Sequence, residues 1–167
     1  MGKNKSFALE IYKAAAGTDV SPLFITAQAC LETGWGKSAV GKYNLWGVKA
    51  NASWKGNRVI VRTTEIVKSG HALGLQKGEE VISKTILKSG NVKYIAKLWF
   101  RDYDSLHDAV LDHNKVLMGF TSAWPYRNDP SKFVDSLQTG PKKYATDPSY
   151  ASTMKAVYRT LEKMGIK

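Results

Sequence analysis

The stretch Ala27-Gln28-Ala29-Cys30-Leu31-Glu32-Thr33-Gly34-Trp35-Gly36 carries a carboxylate to the end of an apolar segment. Upstream, Ser21-Pro22 reads as an N-cap followed by proline at the first helical position, where its missing N–H costs nothing. The spacing therefore predicts a helix from about Pro22, ended by Gly34 and Gly36. Leu23, Ile25, Ala27, Ala29, Cys30 and Leu31 are too apolar for a solvated surface helix, so burial nearly all round is expected. Glu32 would then stand in the last turn, facing the negative end of the helix macrodipole and short of water. Both effects raise a carboxyl pKa, and a raised pKa suits a general acid. The plain alternative is that Glu32 is the last exposed residue of a core helix. Trp35 between two glycines counts against it, because the glycines let backbone and ligand approach closely and a flat indole can stack on pyranose C–H groups.

A glutamate acts on a bond only if other elements face it. Phe7, Ala8, Ile11, Tyr12 and Ala15 recur at helical spacing between Ser6, the expected N-cap, and Gly17. From Trp54 the period changes to two: Val59, Val61 and Thr63 alternate with Ile60, Arg62 and Thr64 ahead of Glu65-Ile66-Val67, predicting a strand. Val92, Tyr94, Ala96, Leu98 and Phe100 predict a second long strand after the turn Ser89-Gly90-Asn91, hence a small antiparallel lobe. Between them Val81 to Lys88 is read as one arm of a further hairpin. The remainder is helical. Helices are expected from Ser105, from Asp129-Pro130 or Ser131, and from Pro148 with Asp147 as N-cap, the last with Tyr150, Met154, Val157, Tyr158, Leu161 and Met164 on one stripe. Taken alone, Glu65 would be the solvated member of an alternating pair, Trp46 a half-buried turn residue and His113 a core-edge histidine. His71, His107 and His113 show no zinc-ligand spacing, so neither a catalytic metal nor another cofactor is expected.

Five segments in order carry a resemblance: Ala27 to Lys37, Tyr-Asn-Leu-Trp-Gly-Val-Lys-Ala (43–50), Thr-Thr-Glu (63–65), Phe-Arg-Asp-Tyr-Asp-Ser (100–105) and Tyr-Ala-Thr-Asp-Pro-Ser-Tyr-Ala (144–151). Together they resemble the successive motifs of glycoside hydrolase family 73, bacterial and phage endo-β-N-acetylglucosaminidases that cut peptidoglycan, from about Ser6 to the C-terminus. The resemblance implies an α+β, lysozyme-like fold: a mainly helical core with a small antiparallel β-lobe, about residues 56–102, beside the cleft of a single domain spanning 1–167. It implies Glu32, Glu65 and Tyr144 as catalytic residues, and sugar contacts from Trp35, Asn44, Trp46, Trp54 and Tyr103. Asp147 looks structural, and Lys142-Lys143 departs from the glycine common before the tyrosine in flagellar members.

The implied reaction is hydrolysis of the β-1,4 bond after N-acetylglucosamine. Glu32 would act as acid, with either Glu65 as base on a water or the substrate acetamide, held by Tyr144, as internal nucleophile. The rivals are an N-acetylmuramidase or a lytic transglycosylase on the same fold, and a non-catalytic wall-binding or virion module.

Composition bounds the choice. The 167 residues, 43% hydrophobic and 23% charged, suffice for one globular domain without repeats. Twenty-five Lys and Arg against 14 Asp and Glu give +11, which favours an anionic polymer. No nucleic-acid-binding motif accompanies the scattered lysines, and peptidoglycan satisfies the charge equally well, so charge alone does not choose; the resemblance implies peptidoglycan glycan strands as the partner, with no nucleic acid, and a monomer is expected. The lone Cys30 excludes an internal disulfide and reads as a small core residue. Before Phe7 there is no apolar run, so neither a signal peptide nor membrane insertion is expected. Action at the wall would then require a phage endolysin, a virion component or a specialised export route.

Overall fold

The computed structural model describes residues 2–167. Helices α1 (Lys3–Ala15) and α2 (Pro22–Thr33) precede strands β1 (Arg58–Val67), β2 (Glu80–Ile86) and β3 (Val92–Arg101); α3 (Leu106–Met118), a 3₁₀ turn (Trp124–Tyr126), α4 (Pro130–Thr139) and α5 (Tyr150–Lys163) follow. This is the expected α+β, lysozyme-like arrangement, with three strands between Arg58 and Arg101 set between the helical parts.

The second helix forms as its sequence dictates. The Ser21 hydroxyl accepts from the Phe24 N–H, Pro22 occupies the first turn, and every residue from Phe24 to Cys30 is buried. At its far end Gly34 is left-handed (φ 56°), and the Trp35 N–H reaches back to the Cys30 carbonyl at 2.8 Å, a Schellman closure. A helix buried on all sides must be surrounded: α1 and α5 flank it, and Phe24 meets Phe133 of α4 with ring centroids 4.7 Å apart.

The sheet order is β1-β3-β2, antiparallel throughout. Registers such as Val61↔Leu98 and Glu65↔Tyr94 put Val59, Val61, Thr63 and Glu65 on one face with Phe100, Leu98, Ala96 and Tyr94. The root of that face, packed with Val40 and Leu73, is a second, smaller apolar cluster. The predicted extra hairpin is β2 with β3, and the register slips between Val81 and Ser83. The lobe is tied to the helices at its base, where Arg101 pairs with Asp112 of α3 at 3.0 Å and the Tyr103 hydroxyl donates to the same carboxylate at 2.6 Å.

Two helix starts differ from expectation. The first helix begins at Lys3, not at Ser6, because solvated Lys3-Asn4-Lys5 extend it and the Ser6 N–H bonds the Gly2 carbonyl. The last begins at Tyr150, since Asp147 Oδ1 accepts from the Ser149 N–H and hydroxyl and so closes the preceding turn instead. No helix among the described residues is long and apolar enough to cross a membrane.

Candidate active site

Two adjoining cavities share Glu32 and Trp46. One, of about 520 Å³, is lined by Leu31, Glu32, Trp46, Tyr144, Asp147, Tyr150 and Thr153. The other, of about 590 Å³, is lined by Glu32, Trp46, Lys49, Val61, Thr63, Glu65 and Phe100. Together they form a groove running from the start of α5, past the end of α2, to the cleft face of the β-lobe, with Glu32 at the junction.

Much of the Glu32 residue is open to this groove, yet protein atoms crowd its carboxyl and the resulting desolvation raises its pKa above 4.5. It has no ion-pair partner among the described residues. Glu65 differs. Its Oε2 lies 2.7 Å from Lys49 Nζ, which the loop after Trp46 delivers through a bridge between Lys49 and Phe100. The groove thus has one unpaired, desolvated carboxyl and, on its far wall, one held by a cation.

Tyr144 is positioned by its backbone, whose N–H bonds the Leu137 carbonyl at 2.9 Å, and by its ring, which packs against Phe120 and Tyr150 with centroids 5.6 Å away in each case. Burial first, then neighbouring Tyr150 and Glu32, push its phenol well above 10, so it is a neutral hydroxyl able to donate. Trp46 is nearly buried and lies flat on His113, with centroids 4.6 Å apart and planes 5° from parallel.

The other flagged side chains lie away from the groove lining. Asn44 is fully buried: its amide donates to the Val48 and Arg101 carbonyls and its Oδ1 accepts from the Val48 N–H, so the side chain pins the loop to the base of β3. Trp54 donates to the Asn57 carbonyl, carries Arg101 over its face at 4.5 Å and meets Tyr103 edge-on at 5.9 Å. Trp54 and Tyr103 line a separate small cavity with Asp102, Asp104 and Asp108. Trp35 is half-buried against the helical core, and its φ of 61° is left-handed, a conformation that costs a bulky residue energy. That turn needs Gly36 beside it, because a Cβ there would meet the Phe7 ring at 2.9 Å.

Sequence reasoning did not single out Lys49, Tyr150 or Gln28 as parts of the site. Gln28 carried a signal, being a polar residue one turn before Glu32 in an otherwise apolar helix.

Residues 8–163 match the glucosaminidase family, described as mannosyl-glycoprotein endo-β-N-acetylglucosaminidase. Among curated relatives, the peptidoglycan hydrolase FlgJ of Pseudomonas aeruginosa is 31% identical over 90% of this chain and 34% of its own length. The exo-glucosaminidase LytG of Bacillus subtilis is 31% identical over 83% of this chain and 43% of its own length. The chain therefore spans less than half the length of either relative. Two solved structures superpose closely. A C-terminally truncated glycoside hydrolase domain of Salmonella typhimurium FlgJ has TM-score 0.66 at 28% identity, covering 96% of this chain and 98% of that one. A peptidoglycan hydrolase mutant from Sphingomonas sp. A1 has TM-score 0.65 at 30% identity, covering 96% and 97%. With nearly its whole length matched and the same fold in solved relatives, this chain belongs to the glucosaminidase family, glycoside hydrolase family 73.

Proposed function

We propose that this chain is a peptidoglycan hydrolase that cleaves the β-1,4 bond following N-acetylglucosamine, with Glu32 as general acid. The observation carrying the reading is the unpaired, desolvated Glu32 carboxyl at the junction of the two groove cavities. A glycosidic oxygen leaves only if it is protonated as positive charge develops at the anomeric carbon, so the acid must hold its proton until that step. Desolvation without a counter-ion supplies that condition. Trp46 beside Glu32 offers an indole edge for the sugar ring.

Two routes complete the reaction. In one, Glu65, oriented by Lys49, takes a proton from a water that attacks the anomeric carbon from the opposite face, and configuration inverts. In the other, the substrate's acetamide oxygen attacks the anomeric carbon, Tyr144 holds the acetamide, and water opens the intermediate with net retention. The paired state of Glu65 across the groove favours the first. The basic surface, +11 overall, would keep the enzyme on the anionic wall.

The test is product analysis of digested sacculi. N-acetylglucosamine at the new reducing ends supports the reading. Muramic acid there means an N-acetylmuramidase, a 1,6-anhydro product means a lytic transglycosylase, and binding without release of fragments means a wall-binding module.

A further inference from the structure

A chain of buried polar contacts links the two walls of the groove behind Glu32. On one side Trp46 rests flat on His113. His113 Nε2 lies 2.5 Å from Gln28 Oε1, and Gln28 Nε2 donates to the Tyr150 hydroxyl at 2.8 Å. Tyr150 in turn packs beside Tyr144 on the other wall. Gln28 has 0% and His113 1% exposure, so neither reaches a ligand. Glu32 follows Gln28 by four positions, which puts both on one face of α2.

A polar side chain in the middle of such a helix is costly unless bonded, and an aliphatic one would fill the place without that demand. Both ends of the Gln28 amide are used, and they reach residues 85 and 122 positions away in sequence. Of the two partners, His113 stands behind the lining residue Trp46, and Tyr150 itself lines the groove beside Tyr144.

We propose that Gln28 is a positioning residue: its amide fixes Trp46, through His113, and Tyr150, with Tyr144 beside it, relative to each other and to Glu32. This rests on the hydrolase reading above. What the link supplies is geometry. A groove whose walls can slip by about 1 Å still binds a glycan but presents the glycosidic oxygen to the acid less often, a loss of about 100-fold at the extreme.

The experiment compares wild type, Gln28→Met, Tyr150→Phe and the double variant on a soluble glycan fragment of peptidoglycan, at a temperature where each is folded by circular dichroism. Both singles should lose about 10- to 100-fold in kcat with KM within about 3-fold, because the lining side chains that bind sugar remain. The double should be no more than about 3-fold worse than the poorer single, since both changes cut one link. If Gln28→Met does not fold, His113→Phe replaces it, keeping a flat ring behind Trp46 while cutting the other half of the chain. Folded singles with kcat within 2-fold of wild type, or losses that multiply in the double, overturn the inference. An inactive wild-type chain overturns the hydrolase reading and this inference with it; an active wild type with active variants overturns the inference alone.

Discussion

Lowering the pH should destabilise this protein through His113. The imidazole is completely buried beneath Trp46, and burial lowers its pKa from 6.5 to about 3. The folded state therefore binds fewer protons than the unfolded one between those values, so stability is fully present above about pH 6.5 and is lost as pH falls towards 3. From pH 7 to pH 4.5 about two pH units of that window are crossed, worth about 2.7 kcal/mol at 1.36 kcal/mol per unit. For a chain of this size each kcal/mol moves Tm by about 2–4 °C, so the His113 contribution is about 5–11 °C. Other groups titrate over the same range, and His113→Phe removes them from the comparison because only this one is absent. Thermal melts of both proteins from pH 8 to pH 4.5 should show the wild type losing about 5–11 °C relative to His113→Phe. A difference in Tm that stays flat with pH would refute the reasoning, for it would mean that the histidine takes up its proton in place.

Glu32→Gln should lower turnover by about 10²–10⁴-fold while sacculus binding persists, since the amide keeps the shape but donates no catalytic proton. The same change should raise Tm at pH 7: a carboxyl whose pKa is raised on folding destabilises once ionised, so the gain should shrink as pH falls and vanish only below about 4.5, the ordinary carboxyl value, where the unfolded state is protonated too. Glu65→Gln should cost about 100-fold or more and the product should be inverted; a retained product, with Tyr144→Phe the more damaging change, would show that the acetamide route operates. Binding to sacculi should weaken as salt passes roughly 0.15 M, where the screening length is about 8 Å, and indifference to salt would assign binding to sugar contacts instead of charge.

The helix carrying Glu32 was legible because its signals are local: Ser21 and Pro22 at one end, Gly34 at the other, and an unbroken apolar middle. The switch to period two likewise marked β1 and β3, whose alternate residues face an apolar cluster. For β2 the pattern says less, since all seven of its residues are exposed and its partner is fixed by the turn before β3. Side-chain direction was the part that sequence could not carry. Asn44 looks as suited to a sugar as to a loop until the carbonyls of Val48 and Arg101 are seen within reach. Trp54 and Tyr103 look like platforms until Arg101, in ion pair with Asp112, is found against the indole and the Tyr103 hydroxyl on that same Asp112. In the other direction, Lys49 gave no sign of meeting Glu65, because that contact exists only once the loop bridges to Phe100 and β1 lies alongside β3.

The proposed division of labour between the two glutamates is supported by how each is carried. Glu32 rides the last turn of a helix whose middle is buried on all sides, and its carboxyl has lost part of its solvation. No basic side chain stands within ion-pair distance of it among the described residues, and a lysine there would depress the pKa that an acid needs. Glu65 rides a strand at the edge of a three-stranded lobe, with Lys49 as its one cation. On the proposed reading, a groove assembled from a core helix on one side and a charged strand on the other would set a desolvated carboxyl without a counter-ion opposite one paired with a cation, although both are the same amino acid.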